Sequence, residues 1–181
     1  LTDAPRGVSL MADGPADITY TKHIAGLLDS KYLNDATIDN DATTREINYL
    51  VIAFQKTNNP AYRKGAENGI RYLLKMQYPT GGFPQFYPDL SGYHKEITYN
   101  DDAMIRVLRL LRAITQRQGD YASVDQDLRL QAQQAVERGI DCILKTQYVQ
   151  HGPPTVGCAQ YDEKPFLPAT APNFPPPPPT R

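Results

Sequence analysis

The chain has 181 residues, 40% of them apolar, which is enough to bury one moderate core and so to form one domain or a large part of one. Its formal charge of −1, with acids and bases interleaved throughout, leaves no basic stripe for phosphates and excludes nucleic acid as a partner. No run approaches the roughly 18 apolar residues of a membrane span, the opening LTDAPRGVSL lacks a signal-peptide pattern, and Cys142 and Cys158 read as small buried free thiols rather than a disulfide or zinc framework.

The chain repeats itself. GIRYLLKMQY, from Gly69 to Tyr78, returns as GIDCILKTQY, from Gly139 to Tyr148. A looser echo pairs DNDATTREINYLVIAF, from Asp39, with YNDDAMIRVLRLLRAI, from Tyr99, each placing Asn and Asp ahead of Ala and an apolar periodic run. Together they predict a two-helix unit used twice.

In chain order, Ile47, Leu50, Val51 and Phe54 recur at helical spacing and predict a first helix from about Asp41 to Lys56, ended by Asn58, Asn59 and Pro60. A second runs from about Ala61 to Met76 with Ala66, Ile70, Leu73 and Leu74 inward, and Pro79 to Gly82 stop it. After a Tyr- and Pro-rich loop, Ile105, Leu108, Leu110 and Leu111 mark a third helix and Gly119 and Asp120 a turn. A fourth, from Leu128 to Lys145, is expected to bury Leu130, Val136, Ile140, Cys142, Ile143 and Leu144. Hairpins that cannot cover their own apolar faces must stack side by side, so the expected fold is all-α and toroid-like, with long irregular loops. From Pro165 onward, and above all in Pro175 to Pro179, the composition forbids a helix; residues 169–181 are expected to form an exposed, unstructured tail after a domain spanning 1–168.

The loops hold the concentrated polar and aromatic residues. Asp39 and Asp41 precede the first helix, and Asp101 and Asp102 the third, so stacking the hairpins brings four carboxylates to one end, where a hard cation such as calcium would be attracted. An Asp before a helix is also a favoured N-cap, but capping needs one acid per helix and each start has two. His23, His94 and His151 have no zinc spacing, and there is no GxSxG elbow, P-loop or GxGxxG.

Four segments, TIDNDAT from Thr37, MQYPTGGFPQFYP from Met76, YHKEITYNDDAM from Tyr93 and VGCAQYD from Val156, resemble the family-ten polysaccharide lyases, which are pectate lyases. They stand in the family's order between Thr37 and Pro168 and represent part of its catalytic domain. The resemblance implies an (α/α) toroid, here incomplete. It also implies calcium-dependent β-elimination of polygalacturonate by a secreted, monomeric protein. By motif, Asp39 and Asp101 match the family's calcium-binding acids at matched helix-start positions, and Asp102 becomes the expected cap. His94, Lys95, Tyr99 and Asn100 flank Asp101 and are the expected substrate-binding groups. The family's catalytic arginine belongs to a later motif, so no catalytic residue is assigned in this sequence. Departures from the family are Asp41 in place of Gly, Phe83 and Gly157 in place of Trp, and the ending ATAPNFPPPPPTR, which is expected to leave the ring open. Two other readings stand beside this one: a non-catalytic uronate-binding fragment, and a terpene cyclase relative whose paired Asp would bind magnesium diphosphate. The absence of Trp and an aromatic content of 9% disfavour the second.

Overall fold

In the computed structural model, which describes residues 36–147, 157–164 and 166–169, each predicted hairpin forms around explicit stop and start signals. Helix α1, Ala42–Thr57, ends where Asn58 turns left-handed, φ 52°, and returns its amide to the Phe54 carbonyl at 2.7 Å. The next residue begins α2, Pro60–Met76: the Asn59 side chain accepts the Ala61 amide at 3.0 Å, and Pro60 occupies the first helical position, where no amide is needed. Helix α3, Ala103–Thr115, is joined by a 3-10 turn, Gly119–Ser123, to α4, Gln126–Lys145, whose first turn is capped by Asp125 through the Asp127 and Leu128 amides at 2.9 and 3.3 Å.

The α1–α2 and α3–α4 hairpins pack side by side, and their shared core takes Ile70, Leu73 and Met76 from α2, Val107, Leu111 and Ile114 from α3, and Leu128 from α4. The predicted helices are all present. One expected face is not: Leu130, Ile140 and Leu144 of α4 are 53%, 49% and 60% exposed, and the buried stripe is Ala132, Ala135, Gly139 and Cys142. The small residues win because they let α4 approach α3 closely; a Cβ on Gly139 would lie 2.4 Å from Leu108 Cδ2. Phe54 and Ile105 are half-buried, as is Cys158, while Cys142 is fully buried; both thiols are free.

The long connection from α2 to α3 is a packed part of the molecule. Phe83 and Ile97 within it are fully buried in the core. Strand β1, Ala36–Thr37, pairs antiparallel with β2, Phe86–Tyr87, and β3, Ile97–Thr98, pairs antiparallel with β4, Gln160–Tyr161. Gly81, at φ 95°, lies against the backbone of Arg138, where any Cβ would stand 2.1 Å from the carbonyl oxygen. These pairings fix the loop at the starts of α1 and α3. Among the described residues no helix is long and apolar enough to cross a membrane. The sequence-predicted tail lies, from Thr170 onward, outside the described residues, as do the first 35 residues.

Candidate functional site

Two copies of one turn deliver the acidic residues. In the first, Thr37 ends β1, Asp39–Asp41 form a 3-10 turn, and Ala42 starts α1; in the second, Thr98 ends β3, Asn100–Asp102 form the turn, and Ala103 starts α3. Each turn holds two consecutive left-handed residues, Asn40 (φ 48°) and Asp41 (φ 65°) in one, Asp101 (φ 54°) and Asp102 (φ 58°) in the other. Asn and Asp are the side-chain-bearing residues that adopt this conformation most readily, which accounts for the composition of both turns. The equivalent pairs are therefore Asp39 with Asn100 and Asn40 with Asp101. The matching of Asp39 to Asp101 expected from sequence is one residue out of register.

Asp39 is half-buried and held by both oxygens: Oδ1 accepts the Asn40 amide at 2.9 Å, and Oδ2 accepts Gln85 Nε2 at 3.1 Å. Its own amide donates to Thr37 Oγ1 at 3.0 Å. Asp101 is exposed, with Oδ2 3.3 Å from Asn100 Nδ2. Asp41 accepts Thr44 Oγ1 at 2.8 Å and forms an ion pair with Arg106 of α3, tying the two helix starts together. Asp41 and Asp102 occupy the N-cap positions of α1 and α3, yet neither makes a side-chain capping bond. The expected cap role of Asp102 is thus not realised: an N-cap aims its oxygen at the first free amides from an extended backbone, and the left-handed conformation here does not. Both acids instead line a cleft of about 530 Å³ between α1 and α3, with Arg45, Arg106 and Arg109.

The four expected substrate residues separate by environment. Lys95 is exposed, and its carbonyl accepts the Tyr78 hydroxyl at 2.7 Å. His94 is half-buried, its ring edge-on to Phe86 at 4.6 Å and Tyr93 at 4.5 Å. Asn100 binds the Ala159 carbonyl through its amide at 3.2 Å, and its buried Oδ1 has no hydrogen-bond partner among the described residues. Tyr99 turns inward: its hydroxyl bonds Thr146 Oγ1 at 2.8 Å and approaches Cys142 Sγ at 3.6 Å, and burial pushes its pKa up. That hydroxyl is engaged with the C-terminal end of α4.

Sequence reasoning passed over Gln85. Gln85 shares the FPQFY stretch with buried aromatics, where a buried polar residue was the available signal. Glu96 is buried beside Asp162, and its pKa is pushed up to about 7 by burial, by the hydrogen bond to Asp162 and by that residue's charge, with Lys95 opposing.

Among the described residues no three His, Cys, Asp or Glu side chains gather to hold a metal. The donors near the acidic turns are nonetheless all hard oxygens. They comprise the Asp39 and Asp101 carboxylates and the unpartnered amide oxygens of Gln85 and Asn100. Such a set fits calcium, which accepts neutral amide oxygens beside carboxylates, and does not suit zinc.

The chain matches the pectic acid lyase family over residues 15–177. Its fold is all-α and similar to the family 10 polysaccharide lyase from Cellvibrio cellulosa, with 34% identity and a TM-score of 0.70 over 73% of this chain and 42% of that one. An aspartate-to-alanine mutant of that lyase in complex with trigalacturonic acid matches with 33% identity and a TM-score of 0.70, over the same 73% and 42%. This chain therefore spans less than half the length of those structures. No curated protein matches it. These likenesses set the terpene cyclase reading aside.

Proposed function

The chain belongs to the pectic acid lyase family, and on that premise we propose that it acts as a calcium-dependent pectate lyase, cleaving polygalacturonate by β-elimination at the face built by its two acidic turns. The observation that carries this reading is the duplicated left-handed turn, which sets Asp39 and Asp101 at the starts of two adjacent helices among oxygen donors that suit a hard cation.

In this reading Asp39 and Asp101 hold calcium, with amide oxygens completing the set. Calcium bound there supplies positive charge beside the uronate C6 carboxylate, where negative charge accumulates as the C5 proton leaves. Asp39 is kept in one orientation by the Asn40 amide and the Gln85 side chain, so the carboxylate needs no reordering when it binds. Lys95, an exposed residue, supplies an ammonium for a further uronate carboxylate, and His94 and Asn100 supply hydrogen-bonding groups. No residue of this chain is assigned as the base. A polymer of this kind is degraded outside the cell, so the reading includes secretion.

A second reading is uronate binding without turnover, since the acidic turns supply oxygen donors while no residue of this chain is assigned as the base. Ultraviolet absorbance of the unsaturated uronate product, followed on polygalacturonate with calcium or with chelator, separates the two. A calcium-dependent rise is expected for the lyase. A folded protein that binds trigalacturonate only with calcium, and yields no product, supports binding without turnover.

A further inference from the structure

Two buried glutamines in the α2–α3 connection are used differently. Gln77, 9% exposed, spends its whole side chain: Nε2 donates to the Gly81 and Ala135 carbonyls at 2.9 and 2.8 Å, and Oε1 accepts Arg138 Nη2 at 2.6 Å. Gln85, 7% exposed, spends half: Nε2 donates to Asp39 Oδ2 at 3.1 Å, and Oε1 is buried with no hydrogen-bond partner among the described residues. An unmet buried acceptor is a net loss to folding. Packing therefore explains Gln77 and leaves Gln85 unexplained.

The unmet oxygen is not the product of a loose segment. The Gln85 amide donates to the His94 carbonyl at 2.9 Å, and the Gln85 carbonyl accepts both the Ile38 amide at 3.2 Å and Thr37 Oγ1 at 2.8 Å. Its backbone is thus fixed between the first acidic turn and the 3-10 turn Gly92–Lys95. Because amide nitrogen and oxygen share one carbon, the bond from Nε2 to Asp39 limits how far Oε1 can lie from that carboxylate. A neutral oxygen next to a carboxylate oxygen is a compensated arrangement when a cation lies within reach of both, and amide carbonyls are ordinary calcium ligands. With no three acids gathered among the described residues, a calcium ion there would be completed by neutral oxygens such as these or by water.

We propose that Gln85 completes the cation seat of Asp39: its Nε2 fixes the carboxylate, and its Oε1 is a direct ligand of the same ion. The proposal rests on the reading of Asp39 as a calcium ligand and extends it to a residue of the GGFPQFYP segment.

Calorimetric calcium titration of the 181-residue chain and its variants tests this, with circular dichroism in chelator as the folding control. Gln85→Met keeps the volume and removes both functions; it is expected to fold and to bind calcium about 10–100-fold more weakly. Gln85→Glu restores an oxygen and adds a charge; it is expected to regain at least wild-type calcium affinity, and to be less stable than wild type in chelator because two carboxylates then face each other. Wild-type affinity in folded Gln85→Met, or equally weak binding by Gln85→Met and Gln85→Glu, overturns the role of Gln85 while leaving Asp39 in place. Calcium binding that is absent from wild type, or unchanged in Asp39→Ala, overturns the underlying reading and the proposal with it.

Discussion

Arg138 of α4 reaches across to the side-chain oxygen of Gln77 at 2.6 Å, and Gln77 in turn holds the carbonyls of Gly81 and Ala135, so one buried amide fastens the long α2–α3 connection to the second hairpin. Gln77→Ala strips two carbonyls and a guanidinium of their partner at once. Urea denaturation is expected to register a loss of about 2–3 kcal/mol, against a smaller loss for Arg138→Ala, which removes only one of the three bonds.

The contact between α3 and α4 depends on the missing side chain of Gly139. In Gly139→Ala the new Cβ meets Leu108 Cδ2 at 2.4 Å, and Leu108 is itself buried in the core. Overpacking of this kind typically costs about 1–3 kcal/mol. The double variant Gly139→Ala with Leu108→Ala is expected to be less destabilised than the sum of the two single changes, since the clash and the cavity share one space.

Asp41 is the residue immediately before α1 and is left-handed. Its left-handed backbone, φ 65°, is a cost that Gly relieves, about 1 kcal/mol or somewhat more. Its ion pair with Arg106 joins side chains that are 37% and 41% exposed, so that pair contributes little. Asp41→Gly is accordingly expected to leave the unfolding free energy within about 1 kcal/mol of wild type, and denaturant midpoints measure this directly.

Glu96 makes stability depend on pH. Its folded pKa of about 7 lies above the ordinary 4.5, so between those values the folded chain keeps a proton that the unfolded chain has released. Stability from this group is therefore greatest at the acidic end, falls as pH rises through that window, and is level above it. Asp162, Lys95, Glu163, Lys164 and Tyr78 face the same recess of about 310 Å³, and of these Lys95 opposes the shift while Asp162 reinforces it. Glu96→Gln is expected to remove this part of the slope between about pH 4.5 and about pH 7 in denaturation experiments.

The helices were legible because periodicity and end signals coincide: Asn58, Asn59 and Pro60 stop one helix and start the next. The buried face of α4 was not legible. Leu130, Ile140 and Leu144 carry the larger apolar weight, while Ala132, Ala135 and Gly139 are buried because close helix approach rewards small size. At the site, composition pointed to the acidic turns, and aligning Ala42 with Ala103 pairs Asn40 with Asp101, the register that the consecutive left-handed residues of both turns also give. The inward turn of the Tyr99 hydroxyl toward Thr146 and the half-used amide of Gln85 depend on tertiary neighbours far along the chain, and no local pattern encodes them.

The most direct test of the central claim is calorimetric titration of trigalacturonate into wild type, Asp39→Ala and Asp101→Ala, each with calcium and with chelator. The account predicts that wild type binds only when calcium is present, and that each substitution weakens that binding roughly tenfold or more. Binding indifferent to chelator, or equal affinity in all three proteins, would contradict it.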